Sequence, residues 1–467
     1  MSIATDPTGP LAEPRPQAGK KDNPDLNLYP EDYSLLTDLY QLTMTACYIG
    51  EGIDQRRASF ELFARRLPEN FGYLIAMGLA QALDYLEQLH FTGEQIAALQ
   101  ATGIFSDAPD RFWTILAEGR FTGDIWAVPE GTAIFPYEPI LRVEAPLWQA
   151  QLVETYLLNT LNYQTLIATK AARLRDVAGP GATLYEFGTR RAFSPQGSLW
   201  AARAALAAGI DNTSNVLAAL KLGRKPAGTM AHSLIMALTA TQGTEGQAFS
   251  AFHHYFPGAP LLIDTYDTIE AARILAQKLQ AGEIELRGVR IDSGDLVTIS
   301  QKVRTLLPGI PIFASGDLDE WEIARLQSAG AKINGYGLGT KLVTGPPVNG
   351  VYKLVEIEGI PVMKKSQGKG SYPGRKQIYR HYENGQIVAE ELGLISEKSP
   401  TEESGLLQLV FKEGKRLEPT EPLELIAQRT ANSVASLPPL IRRLKKPASI
   451  EVKLSAGLQD LIAQISP

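Results

Sequence analysis

At 467 residues the chain is too long for one ordinary domain and reads as two or three. Hydrophobic residues make up 44% of it and the mean hydropathy is −0.09, the profile of a globular protein with ample core. A formal net charge of −6 argues against a nucleic-acid binder that works by neutralising phosphates. The single cysteine, Cys47, excludes an internal disulfide and a cysteine-ligated zinc site; inside a predicted helix it reads as a small buried hydrophobe. No window approaches the ~20 consecutive apolar residues of a membrane-crossing helix, and the N-terminal stretch lacks the apolar core of a signal peptide. Cytoplasm is the expected location.

Residues 1–30, rich in proline and charge, read as a disordered leader. Thr37 and Asp38 offer caps for a helix through Leu39, Leu42, Met44 and Tyr48 that stops at Gly50-Glu51-Gly52. Ala58 to Phe63 alternates like a strand, a helix is expected from about Leu74 to Leu89, and Thr92-Gly93-Glu94-Gln95 has capping-box spacing. Short β-like runs fill Phe121 to Pro146, and a long helical stretch follows over roughly Leu147 to Val177. From Thr183 to about Thr344 strands starting near Leu184, Gly228, Leu261, Gly288, Ile312 and Lys332 alternate with helices, as parallel βαβ units require. Beyond Gly350 come β hairpins, then a polar stretch with one amphipathic helix. The expected division is 31–150, 151–345 and 346–467. The middle part is an α/β barrel, favoured over an open doubly wound sheet because nearly every strand ends in a polar group and a barrel converges those ends on one mouth.

The chemistry concentrates at those strand ends. His232 sits in a polar island, Lys225 to Ser233, flanked by hydroxyls and glycine. Asp264, Asp292 and Asp317 each follow a short apolar run. Aspartate there caps helices well, yet three in successive units point to a metal, ribose hydroxyls or a cationic sugar centre. Arg290, two residues before Asp292 on a strand, shares its face and needs an anion. Gly335 to Thr340 reads as a glycine-rich phosphate cradle, and Phe187-Gly188-Thr189-Arg190-Arg191 pairs an aromatic with two cations. His253-His254 looks like a metal pair, but neighbours on a strand face opposite ways.

These motifs, in this order, resemble the nicotinate phosphoribosyltransferase family. The resemblance runs over about residues 33–430, through Leu36 to Gln41, Phe60-Glu61-Leu62-Phe63, Val128 to Thr132, Phe187 to Arg191, Gly228 to Ser233, Arg290 to Asp295, Gly337-Leu338-Gly339-Thr340, Met363 to Ser366 and Pro373-Gly374-Arg375-Lys376. It implies an irregular α/β (TIM-like) barrel packed against an α+β domain built from both chain ends. It implies formation of nicotinate mononucleotide and pyrophosphate from nicotinate and phosphoribosyl pyrophosphate (PRPP), coupled to ATP hydrolysis in NAD biosynthesis or salvage. A homodimer with shared sites and a need for Mg²⁺ or Mn²⁺ are implied as well, with no nucleic-acid or membrane partner.

Carried over by position, His232 resembles the histidine that ATP phosphorylates. Tyr40, from the partner subunit, and Phe187 resemble the aromatic pair around the pyridine. Thr229 and Arg290 resemble nicotinate contacts. Arg190, Gly337, Gly339 and Thr340 resemble phosphate and PRPP contacts, and Asp264 and Asp292 resemble carboxylates near ribose and metal. Where relatives that use nicotinamide carry an aspartate, this chain has Ser214, which favours nicotinate because an anion there would repel a carboxylate. A quinolinate or nicotinamide enzyme and a silent pyridine sensor are the alternatives; the intact His232, Asp264, Arg290 and Asp292 speak against the second.

Overall fold

The computed structural model describes residues 26–365, 370–397 and 405–465; most of the expected leader, and Ser366 of the motif around Lys364, lie outside them. The first α-helix, Leu39–Gly50, starts after Asp38 where it was expected, but the Asp38 carboxylate accepts the Thr155 hydroxyl (3.0 Å) rather than capping the helix. Thr92 and Gln95 form the expected reciprocal cap on the Gly93–Ala101 helix. The helix expected from Leu74 is instead a two-residue strand, Leu74–Ile75, followed by a helix over Leu79–Gln88. Gly78, at φ +109°, marks the break.

One seven-stranded antiparallel sheet draws on both ends of the chain. Arg57–Ala64 pairs with Pro139–Pro146 on one side and with Gly350–Ile357 on the other, while Gln408–Lys412 pairs with Asp124–Ala127. The helical stretch after Leu147 breaks at Val153 into Leu147–Leu152 and Glu154–Ala178. The longer helix joins the two halves. Its Thr165 and Thr169 hydroxyls accept the N–H groups of Met77 and Ile75, and its buried Arg173 pairs with Glu320 at 3.0 Å. The C-terminal region contains two helices rather than one, Leu423–Ala435 and Ala456–Ile465.

The middle of the chain forms a six-stranded parallel sheet in the order Asn212–Thr213, Thr183–Glu186, Gly335–Leu338, Ile312–Ser315, Val289–Ile291, Leu261–Leu262. First and last strands of the series are neighbours, as in a barrel, but the expected barrel does not close. Its two edges, Asn212–Thr213 and Leu261–Leu262, are two residues each and do not pair with one another. The strand expected near Gly228 is absent. The 222–231 segment crosses there as an irregular loop, touching the sheet through Ala227 N–H to Thr213 O (2.9 Å) and Met230 O to Arg290 (2.9 Å). Pro226 lacks the N–H that a laddered strand at that position would donate. Among the described residues no helix is long and apolar enough to cross a membrane.

Candidate active site

The C-terminal ends of the parallel strands open on a cleft of about 1120 Å³. Of the residues singled out from sequence, Phe187, Arg190, Ser214, Thr229, His232, Arg290, Asp292, Gly337, Gly339 and Thr340 line it. Asp264 stands directly behind. Its Oδ2 accepts the Asp292 N–H (2.8 Å) and the Ser293 hydroxyl (2.7 Å), and its Oδ1, buried and without a hydrogen-bond partner, lies 3.9 Å from His232 Nε2. Tyr40 is not brought into the cleft; it sits 46% exposed near the start of its helix.

Helix capping does not account for the three strand-end aspartates. The helices that follow are capped by Asp267, Asp295 and Asp319, whose carboxylates accept the first free N–H groups. Asp264, Asp292 and Asp317 are thereby left to the cleft. Asp292 Oδ1 accepts the Ser315 hydroxyl at 2.5 Å. Asp317 holds a left-handed backbone (φ +45°) directly after Gly316 (φ +94°), an unusual pair of conformations at a cleft wall.

His232 is the first residue of the His232–Gln242 helix, and its Nδ1 lies 3.1 Å from the Thr265 hydroxyl. The residue before it is Ala231, so no side chain caps this helix; Leu234 N–H turns back to the Ala231 carbonyl (3.1 Å), and the N–H groups of His232 and Ser233 remain to meet an anion.

Arg290 donates to Met230 O, but its Nε is buried without a partner, and it forms no ion pair among the described residues. Burial draws the guanidinium below its ordinary pKa, against the opposing pull of Asp292 and Asp264. Its charge lies 6.0 Å from the centroid of the Phe187 ring. Ser214 gives its hydroxyl hydrogen to the Glu186 carbonyl (3.2 Å), an oxygen that the Ser214 backbone N–H already reaches at 3.0 Å.

All of Gly337, Gly339 and Thr340 of the expected glycine cradle line the cleft. Gly337 lies within the Gly335–Leu338 strand, and a Cβ there would fall 2.6 Å from the Phe187 ring, so its role is to admit that ring. Arg191, one of the two cations expected beside Phe187, lines the cleft too, together with Ser315 and Gly316, which the sequence did not single out as site residues, and Thr265 lies against His232. Ser315-Gly316, a hydroxyl and glycine at a strand end, was the available signal. His253 and His254 prove to be helical, and His253 Nε2 accepts the Glu285 N–H at 3.2 Å. Cys47 is exposed, contrary to the buried position expected of it.

Three family models match the chain: the nicotinate phosphoribosyltransferase (NAPRTase) N-terminal domain over residues 35–162, the NAPRTase family over 182–310, and the C-terminal domain over 399–462. A nicotinate phosphoribosyltransferase of Mycobacterium tuberculosis (strain ATCC 25618 / H37Rv) is 39% identical over 423 residues, covering 88% of this chain and 89% of that one. The Bacillus subtilis (strain 168) enzyme of the same name is 40% identical over 383 residues, covering 77% and 76%. The crystal structure of human nicotinic acid phosphoribosyltransferase superposes with a TM-score of 0.80 at 30% identity, covering 92% of this chain and all (100%) of that one. With these matches spanning the antiparallel sheet, the parallel sheet and the cleft at the parallel strands' ends, the chain belongs to the nicotinate phosphoribosyltransferase family.

Proposed function

We propose that the chain joins nicotinate to PRPP, releasing nicotinate mononucleotide and pyrophosphate, and that ATP hydrolysis through a phosphorylated His232 is coupled to the step. The observation that carries this reading is Arg290, a half-buried cation whose Nε is buried without a partner, 6.0 Å from the centroid of the Phe187 ring. A flat ring bearing a carboxylate answers both groups at once. Family membership supports the same substrate pair, and its relatives are named for acting on nicotinate.

The pyridine nitrogen is already a nucleophile, so the protein has to position it rather than remove a proton. Phe187 would stack on the ring, with Arg290, Thr229 and Ser214 around the carboxylate. Arg190, Gly339 and Thr340 would take phosphate oxygens; Arg190 forms no ion pair among the described residues. Asp264 and Asp292 oppose the positive charge that develops at the ribose anomeric carbon.

Magnesium or manganese suits this donor set. Asp264 keeps one buried oxygen unpartnered, and no group of three or more His, Cys, Asp or Glu among the described residues could hold a metal alone, so substrate phosphates would complete the shell. An ion held by Asp264 and Asp292 would supply positive charge to offset that of the departing pyrophosphate. Imidazole is a competent nucleophile for phosphoryl groups, Thr265 fixes its Nδ1 side, and the uncapped helix start favours the phosphoryl anion once formed.

We read the assembly as a homodimer in which Tyr40 enters the partner's cleft. Its exposure, together with exposed Leu36 and Leu39 beside it and Val216, Leu217 and Leu220 next to Ser214, supports that arrangement. The test is turnover of nicotinate, nicotinamide and quinolinate in parallel with PRPP, Mg²⁺ and ATP. Product from nicotinate is expected; preference for either other pyridine, or no product from folded protein, overturns the reading.

A further inference from the structure

We propose that Glu186 is a positioning residue that fixes the Phe187 ring relative to the Ser214 hydroxyl, and so sets the affinity and selectivity for the ring's carboxylate. The inference rests on the nicotinate reading above. Glu186 ends the Thr183–Glu186 strand, is 1% exposed, and forms no ion pair among the described residues. A buried carboxyl without a counter-charge is costly, and burial pushes its pKa up. Its two oxygens are nevertheless both engaged, and on opposite sides of the site.

Oε1 accepts the Gly188 N–H, holding the turn that carries Phe187 and Arg190. Oε2 accepts the Thr213 hydroxyl at 2.6 Å, and the Glu186 carbonyl accepts the N–H and hydroxyl of Ser214. The Thr213 hydroxyl also accepts the Asn215 N–H (3.0 Å), and Asn215 caps the Val216–Lys221 helix through Ala218 N–H (3.0 Å). One side chain therefore ties the aromatic wall to the polar wall. Only a carboxyl offers two acceptors there: a glutamine oxygen can serve Gly188 or Thr213, not both. Gly188 leaves no slack, because a Cβ there would lie 2.4 Å from Val343 and 2.9 Å from Oε1.

Steady-state kinetics of Glu186→Ala, Glu186→Gln and Thr213→Val, with nicotinate and nicotinamide as competing pyridines, test the assignment. Expected is a rise of roughly tenfold or more in KM for nicotinate in Glu186→Ala, with KM for PRPP within about twofold and a weakened preference over nicotinamide. Glu186→Gln, which keeps one acceptor, falls between it and the parent. If Glu186→Ala does not fold, Thr213→Val, which removes the Oε2 partner alone, shows the same split at smaller size. Unchanged nicotinate KM and preference in Thr213→Val and Glu186→Gln, or a parallel loss for both substrates, overturns the role of Glu186 while leaving an active parent enzyme. A parent that makes no nicotinate mononucleotide overturns the functional reading itself.

Discussion

The guanidinium of Arg290 lies 6.0 Å from the centre of the Phe187 ring, and both line the same cleft although they stand on non-adjacent strand ends. The first prediction follows. Arg290→Ala leaves a bound carboxylate without its half-buried partner and should raise KM for nicotinate by about 100-fold, with KM for PRPP within about threefold. Initial rates against each substrate check it; an equal loss for both would mean that Arg290 supports the fold rather than the pyridine.

Gly337 makes room for that ring. Its alanine variant would place a methyl group 2.6 Å from two Phe187 ring carbons and 3.2 Å from Ser315 Cβ, inside a central strand. We expect a stability loss of about 1–3 kcal/mol together with weaker nicotinate binding. Thermal melting and nicotinate KM, read on the same preparation, should move together; a stable variant with normal KM contradicts the packing.

His232 is 40% exposed at the cleft, so its removal should leave the fold intact. His232→Ala should lose the acceleration by ATP and retain slow transfer without it. Loss of binding of both nicotinate and PRPP, measured by calorimetry, would show a structural role instead.

Away from the cleft, the buried carboxyls of Glu138 and Glu390 share one arginine, Arg380, whose Nε meets Glu390 at 2.5 Å. Burial, and for Glu138 also the neighbouring Glu390, raises both pKa values, that of Glu390 to about 7. One arginine does not neutralise two carboxylates, so the folded pair retains a proton that the unfolded chain releases near the ordinary value of 4.5. The folded state then binds more protons than the unfolded one across this window, and stability falls as pH rises from 4.5 to about 7. Glu138→Gln, which is permanently neutral, should flatten the decline of melting temperature over that range. Parallel curves for the variant and the parent would refute the shared proton.

Much of the site was legible because strand-end polarity is a local signal: His232, Arg290, Asp292 and Phe187 converge as their positions suggested. Whether Asp264 and Asp292 capped helices was not legible, since capping and site chemistry both recruit aspartate just after a strand; in the structure Asp267 and Asp295 do the capping. Closure of the barrel depended on edge strands of two residues, too short for any periodicity to register. Three of the family motifs turn out to hold the fold together. Glu130 of Val128 to Thr132 forms a buried ion pair with Arg203 at 2.6 Å, and Glu61 of Phe60 to Phe63 meets Lys376 of Pro373 to Lys376 at 2.8 Å. Sequence similarity marks such residues as strongly as those that touch substrate, and only the packing separates them. Tyr40 lies beyond what one chain can place, because its expected partners belong to a second copy.

The most direct measurement is the ratio of ADP released to nicotinate mononucleotide formed, with purified protein, nicotinate, PRPP and Mg²⁺, with and without ATP. The account predicts faster mononucleotide formation with ATP, ADP appearing alongside it, and an acid-labile phosphate on the protein that is absent from His232→Ala. Mononucleotide formed at the same rate without ATP, with no ADP and no labile phosphate, would contradict the coupling through His232.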